Sequence, residues 1–222
     1  MPARLALVVF DLDGTLIDSK KDLADAANAM VRDLGGRPLE DDEVAGMVGE
    51  GARVLVERAL AAGGVHPQPA DALDRFLGHY DARLVRHTRP YPGVDDLLAR
   101  TARRVPVAVL SNKPERATRR VLAELGLDRH IRACVGGDGL FPRKPDPAGL
   151  LHLTTVFAVT PETTLLVGDS PIDRETARRA GTRLCLVRYG FGFRGVEDEP
   201  RDGEFVVDTP ADAGALIDRL LA

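Results

Sequence analysis

The sequence predicts an α/β protein built on a doubly wound parallel sheet. From residue 92 onward, short aliphatic runs alternate with segments of helical periodicity, as expected for strands joined by helices across a parallel sheet. A first aliphatic run, residues 5–10, is separated from them by a block with helical periodicity alone. The chain has 222 residues, of which 44% are hydrophobic, and this is enough to bury a core of that kind.

The first strand is predicted at residues 5–10, which run straight into Asp11-Leu12-Asp13-Gly14-Thr15-Leu16. An unbroken apolar run is typical of a strand buried on both faces, and open α/β sheets bind ligands at the carboxyl ends of such strands. Alternation places Asp11 and Asp13 on one side of the chain, where close carboxylates repel by roughly 4 kcal/mol at 4 Å and an effective dielectric of about 20. This strand end predicts a cation site, although a solvated Asp-Gly turn has the same composition.

A helical block follows and is predicted to be an insertion after the first strand. Helical periods fall at residues 23–34, 41–48, 53–62 and 70–85, with no convincing strand between them. The predicted domains are therefore a catalytic core made of residues 1–18 and 91–222 and a helical domain made of residues 19–90.

The remaining elements alternate. The predicted strands are residues 105–110, 131–135, 164–167 and 183–187, and the predicted helices are residues 94–102, 115–125, 147–157, 173–180 and 211–221.

Polar residues follow two of these strands and also occupy one loop. Ser111-Asn112-Lys113-Pro114 offers hydroxyl, amide and backbone donors of a size suited to phosphate, although it also suits a helix cap. Lys144 lies between prolines that fix its loop and can aim its ammonium. Asp169 and Asp173 flank the start of a helix, where a plain N-cap explains one of them.

The ends of parallel strands lie at one edge of a sheet, so these side chains are expected to meet there. Oxygen ligands without His or Cys suit Mg²⁺, which binds through carboxylates and substrate phosphate. Phosphoryl transfer needs positioning and charge neutralisation, and an Asp can act as nucleophile through an aspartyl phosphate. The sequence therefore predicts magnesium-dependent chemistry on a phosphate ester.

The four segments resemble motifs one to four of the haloacid dehalogenase superfamily of aspartate-nucleophile phosphatases, in the expected order and over nearly the whole chain. The resemblance implies a Rossmann-like core and a mobile cap formed by residues 19–90. It implies that Asp11 is the nucleophile, and that Asp13 protonates the leaving oxygen and then activates water. Mg²⁺ would be held by the Asp11 carboxylate, the Asp13 carbonyl and Asp169, with Asp173 in support.

The same resemblance assigns the phosphate site. Thr15, Ser111 and Asn112 would bind the phosphoryl group, and Lys144 would neutralise charge on the nucleophile and on the phosphate. Residues 48–55, 111–114, 136–138 and 189–192 are similar to the phosphoglycolate phosphatase branch, which implies hydrolysis of 2-phosphoglycolate to glycolate and phosphate. Arg53 could pair with a substrate carboxylate or could be a solvated helix residue.

Two other functions remain open at this point. A hexose phosphate mutase uses the same core with a similar cap, and product analysis with a sugar phosphate separates it from a hydrolase. A phosphate-binding or aspartyl-phosphate switch domain would have the same acidic pocket without turnover.

Composition limits the partners. The net charge is −4 with basic residues spread along the chain, so neither a nucleic-acid footprint nor a polybasic membrane patch is expected. No apolar stretch reaches 18 residues, and the six-residue run before Asp11 is too short for a signal peptide. We expect a cytoplasmic monomer or homodimer that acts on a small phosphorylated metabolite.

Overall fold

The computed structural model describes residues 4–196 and 199–222. Residues 1–3 and 197–198, which belong to the predicted core segments, lie outside the described residues. A six-stranded parallel sheet has the order β5-β4-β1-β6-β7-β8. Its strands are β1 Leu7–Phe10, β4 Val107–Leu110, β5 Ala133–Val135, β6 Thr164–Gly168, β7 Arg183–Val187 and β8 Glu204–Val207.

The central strand determines where the site lies. β1 is flanked by β4 and β6, and Phe10 is in register with Val109 on one side and with Val167 on the other. All three strands run in the same direction, so their carboxyl ends are adjacent at one edge. The predicted α/β class is confirmed, and the strand ends that carry polar residues are neighbours.

Both faces of the sheet are covered. Along β1, Val8 and Phe10 pack in one hydrophobic cluster, whereas Leu7 and Val9 pack in a second one, because successive side chains of a strand point to opposite faces. The helices of this part are α5 Val94–Ala102, α6 Glu115–Glu124, α7 Ala148–Val156, α8 Pro171–Ala180 and α9 Pro210–Leu220.

Four helices lie between β1 and α5 in the chain. They are α1 Lys20–Asp33, α2 Asp41–Ala45, α3 Ala52–Ala62 and α4 Ala72–Asp81, and α1 packs against each of the other three. The chain enters this helical segment through β2, Ile17–Asp18, and leaves it through β3, Arg89–Pro90, which pair as an antiparallel ribbon. Within the described part of the chain, no helix has the length and apolar character needed to cross a membrane.

A buried carboxylate joins α1 to the exit of the helical segment. Asp22 is fully buried and accepts hydrogen bonds from the backbone N–H groups of His87 and Thr88 and from the Thr88 hydroxyl, the last at 2.7 Å. These bonds satisfy a charge that would otherwise be costly to bury. The residues leading into β3 are thereby fixed to the first helix.

Candidate active site

The site is a cavity of about 520 Å³ at the carboxyl ends of β1, β4 and β6. Its floor includes Asp11, Asp13, Ser111, Lys144 and Asp169, which follow these strands or lie in the loop before α7. Residues of α3 and α4 line its other side. The parallel topology therefore brings the acids and the lysine predicted from the sequence into one cavity.

Lys144 lies between two carboxylates. Its Nζ is 2.8 Å from Asp11 Oδ1 and 2.6 Å from Asp173 Oδ1, and its side chain is only 3% exposed. Burial raises the pKa of Asp11 to about 6 even though the Lys144 ammonium opposes this shift. Burial alone would lower the pKa of Lys144, but its two carboxylate partners raise that pKa above its usual value.

Asp169 follows β6 and completes the acidic group. Its Oδ2 accepts a hydrogen bond of 2.7 Å from the Gly192 N–H, and Thr15 Oγ1 lies 3.4 Å from its Oδ1. Burial, followed by the charges of Asp173 and Asp11, raises the pKa of Asp169 well above its usual value.

Glycines allow the chain to approach this carboxylate closely. A Cβ on Gly14 would lie 2.1 Å from Asp169 Oδ2, and one on Gly190 would lie 2.3 Å from the same atom. Gly14 also has a φ of +89°, a conformation that L-residues with side chains rarely adopt. The observed position of the Asp169 carboxylate therefore requires glycine at residues 14 and 190.

The carboxylates of this group fit a divalent cation. One oxygen from each of Asp11, Asp169 and Asp173 lies within 4.8 Å of the other two, and all three residues are buried. A bound cation would hold Asp11 and Asp169 ionised despite the burial and mutual repulsion that raise their pKa, and the hard oxygens of all three carboxylates suit a small divalent ion. The three residues could therefore hold a metal.

Asp13 lies beside this group and has its own cation. Lys113 Nζ is 2.9 Å from Asp13 Oδ1 and 2.8 Å from Oδ2, and Ser19 donates to Oδ1 at 2.6 Å. Both Lys113 and Asp13 have largely buried side chains. Lys113 was not predicted as a site residue, although its position directly after the strand-end residues Ser111 and Asn112 was a signal.

Two of the residues predicted to bind the phosphoryl group, Ser111 and Asn112, directly follow β4. Ser111 lines the cavity, and its Oγ accepts a bond of 3.3 Å from the Lys113 N–H. The Asn112 amide donates to the carbonyls of Gly49 and Lys144 and accepts from the Lys144 N–H at 2.8 Å. In this arrangement the Asn112 side chain positions the Lys144 loop.

Arg53 lines the cavity from the first turn of α3. It is exposed, and the contacts of the described residues include no ion pair or hydrogen bond from its guanidinium. Neighbouring Glu50 pairs with Arg58 on the surface. Arg53 thus lies at the cavity with its donors available.

Comparisons with known proteins cover both the sheet and the helical segment. The profile of the haloacid dehalogenase-like hydrolases matches residues 8–187. A phosphoglycolate phosphatase from Cereibacter sphaeroides is 40% identical over 202 residues, covering 89% of this chain and 92% of that relative. One from Pseudomonas putida is 43% identical over 190 residues, covering 83% of this chain and 70% of the relative. Among solved structures, a predicted phosphoglycolate phosphatase from Haemophilus somnus has a TM-score of 0.89 and 30% identity, covering 96% of this chain and 98% of that one.

Proposed function

Because this chain belongs to the haloacid dehalogenase-like hydrolase family, we propose that it hydrolyses 2-phosphoglycolate to glycolate and phosphate with Mg²⁺. The reaction class rests on one observation. Lys144 forms ion pairs with both Asp11 and Asp173, and one oxygen of each of these acids lies within 4.8 Å of an Asp169 oxygen. The choice of 2-phosphoglycolate as substrate follows from the relatives named phosphoglycolate phosphatase, which are 40% and 43% identical to this chain.

Asp11 is the nucleophile in this proposal. Its carboxylate oxygen attacks phosphorus, the bond to the ester oxygen breaks, and an aspartyl phosphate forms. Asp13 gives a proton to the leaving oxygen and then takes one from the water that attacks the aspartyl phosphate, so that phosphate is released and Asp11 is regenerated. Mg²⁺ held by Asp11, Asp13 and Asp169, with Asp173 in support, would supply positive charge against the phosphoryl oxygens.

The phosphoryl oxygens would meet donors at the end of β4. Ser111 lines the cavity and would offer its hydroxyl to a phosphoryl oxygen. Lys144 neutralises charge on Asp11 and on the transferred group, and Thr15 keeps its place beside Asp169.

Residues 19–90 act as a cap in this proposal. Leu55, Phe76 and Leu84 line the cavity from the helical side and would exclude water from the aspartyl phosphate. The helical segment touches the sheet edge where Asn112 donates to the Gly49 carbonyl and where Gly51 approaches Arg143. Closure at these contacts would seal the substrate in the cavity.

The test is phosphate release from 2-phosphoglycolate and p-nitrophenyl phosphate by wild type and Asp11→Asn, with and without a chelator. We expect Asp11→Asn to lose turnover of both esters and chelation to silence the wild type. The matched control is Asp25→Asn, which changes an acid paired with Lys21 on the surface. Turnover by Asp11→Asn, or an undiminished rate in chelator, would contradict the proposal, and an aspartyl phosphate that persists for minutes would indicate a switch.

A further inference from the structure

Tyr80 has a buried hydroxyl without a partner. The residue lies on α4, is 4% exposed and lines the cavity, and its ring stacks on Phe76 at 5.9 Å. Its hydroxyl is one of two buried side-chain polar atoms in the described residues that have no hydrogen-bond partner. Burial raises the pKa of Tyr80 to about 12, so the group remains a donor. A buried donor with no acceptor is rare, and one that lines a cavity can be satisfied by a ligand bound there.

Lys113 is adjacent to this hydroxyl. Its Nζ lies 4.6 Å from the centroid of the Tyr80 ring. Lys113 Nζ donates to both oxygens of Asp13, and it lies close enough to Tyr80 that the ammonium and the hydroxyl shift each other's pKa. Because an ammonium has donors and no acceptor, Lys113 still leaves the Tyr80 O–H without an acceptor.

The short length of the proposed substrate limits how far its carboxylate can lie from Asp13. In 2-phosphoglycolate a single CH₂ separates the ester oxygen from the carboxylate. The proposed function places that ester oxygen beside Asp13, so the carboxylate must lie close to Asp13 as well. Lys113 contacts Asp13 directly and Tyr80 lies against Lys113, so both residues are buried donors on the Asp13 side of the cavity.

Few alternatives exist on the helical side. Among the described residues of the helical segment that line the cavity, those with polar side chains are Arg53, Tyr80 and Asp81. Asp81 is an anion that pairs with Arg116 and Arg120, so it does not attract a carboxylate. Arg53 is exposed, where water screens its charge, whereas Tyr80 is buried and a hydrogen bond to a charged acceptor is stronger there.

We propose that the Tyr80 hydroxyl, next to the Lys113 ammonium, forms the subsite that binds the carboxylate of the substrate. The inference rests on the proposed phosphatase function and deepens it. Tyr80 is then a specificity-determining residue: it selects small phosphate esters whose leaving group has a carboxylate next to the ester carbon.

The experiment compares 2-phosphoglycolate with ethyl phosphate, which has a methyl group in place of the carboxylate. In Tyr80→Phe the ratio of their kcat/KM values should fall about tenfold or more, since a hydrogen bond to a charged group is lost. Tyr80→Phe keeps the ring and removes a hydroxyl that has no partner, so the fold should be retained. The control is Tyr91→Phe, which removes a hydroxyl outside the residues that line the cavity and should leave the ratio within twofold.

A binding measurement makes the test independent of turnover. Calorimetry with 3-phosphonopropionate and propylphosphonate, which have no cleavable ester bond, should show a preference for the carboxylate in wild type that Tyr80→Phe largely loses. An unchanged preference for the carboxylate in Tyr80→Phe would overturn the subsite. So would a loss of this preference in Arg53→Met while Tyr80→Phe keeps it. If wild type hydrolyses 2-phosphoglycolate and Tyr80→Phe keeps the ratio, only the subsite fails; if wild type hydrolyses neither ester, the proposed function fails with it.

Discussion

Removal of the Lys144 ammonium should destabilise the metal-free protein. Lys144→Met keeps the length of the side chain but leaves Asp11 and Asp173 without their shared cation. Breaking a buried ion pair by removing one partner costs about 3–5 kcal/mol. Two carboxylate oxygens within 4.8 Å of each other repel by at least about 3.5 kcal/mol at an effective dielectric of about 20, which is of the same size. We therefore expect a loss of about 3–5 kcal/mol in chelator at pH 8.

Urea unfolding measures this loss. At pH 5 it should be smaller, because Asp11, with a pKa already raised to about 6, then takes up a proton and the repulsion falls. Mg²⁺ at pH 8 should restore part of the stability, because a bound cation replaces the missing charge. The control is Lys20→Met, which breaks a surface pair with Asp42 and should leave the unfolding midpoint nearly unchanged, because water and salt screen exposed pairs. A loss in Lys144→Met no larger than in Lys20→Met, or one independent of pH, would refute the reasoning.

Three further predictions concern pH, packing and the helical segment. In chelator, the wild-type protein should become more stable to urea as the pH falls from about 7 to about 5. The pKa of Asp11 in the folded protein, about 6, lies above its ordinary 3.8, so the folded protein takes up this proton at a higher pH than the unfolded chain does. An unfolding midpoint that drops over this range would contradict the prediction. Gly190→Ala should weaken Mg²⁺ binding about tenfold or more by calorimetry, since the added Cβ would lie 2.2 Å from Asp169 Cβ. The control is Gly78→Ala, whose added Cβ has no atom within 4 Å. It should leave Mg²⁺ binding unchanged and raise the free energy of unfolding by about 0.5–1 kcal/mol. Asp22→Asn should cost about 1–3 kcal/mol in urea unfolding, because an amide presents N–H groups to the backbone donors that now bond the carboxylate; an unchanged midpoint would show that these bonds contribute nothing.

Much of the fold could be predicted from the sequence because its strands are buried. The runs ending at Phe10, Leu110 and Val167 are continuous and apolar, and parallel strands covered on both faces have this pattern. β8, Glu204–Val207, was not predicted: it is a four-residue edge strand, only partly buried, that depends on pairing with β7. The ribbon of β2 and β3 has two residues in each strand, too few for a periodic signal.

The acidic group could be predicted for a different reason. Asp11 and Asp169 each follow a strand of one parallel sheet, so topology alone brings them together. Tyr80 could not be identified in this way, because a tyrosine in an amphipathic helix has the pattern of any core aromatic residue. Its missing hydrogen-bond partner and its distance from Lys113 exist only in three dimensions.

The amide of Asn112 makes two distant parts of the chain energetically dependent on each other. One of its hydrogens is accepted by the carbonyl of Gly49, 63 positions earlier, while the rest of the group holds the backbone on either side of the Lys144 side chain. Displacing residue 49 from the sheet edge would leave a buried N–H unsatisfied, which costs about 1–3 kcal/mol. By reciprocity, whatever stabilises the lysine loop also favours residue 49 at the sheet edge. A ligand bound among the acids of the cavity would therefore favour the closed helical segment, and closure would in turn strengthen binding of that ligand.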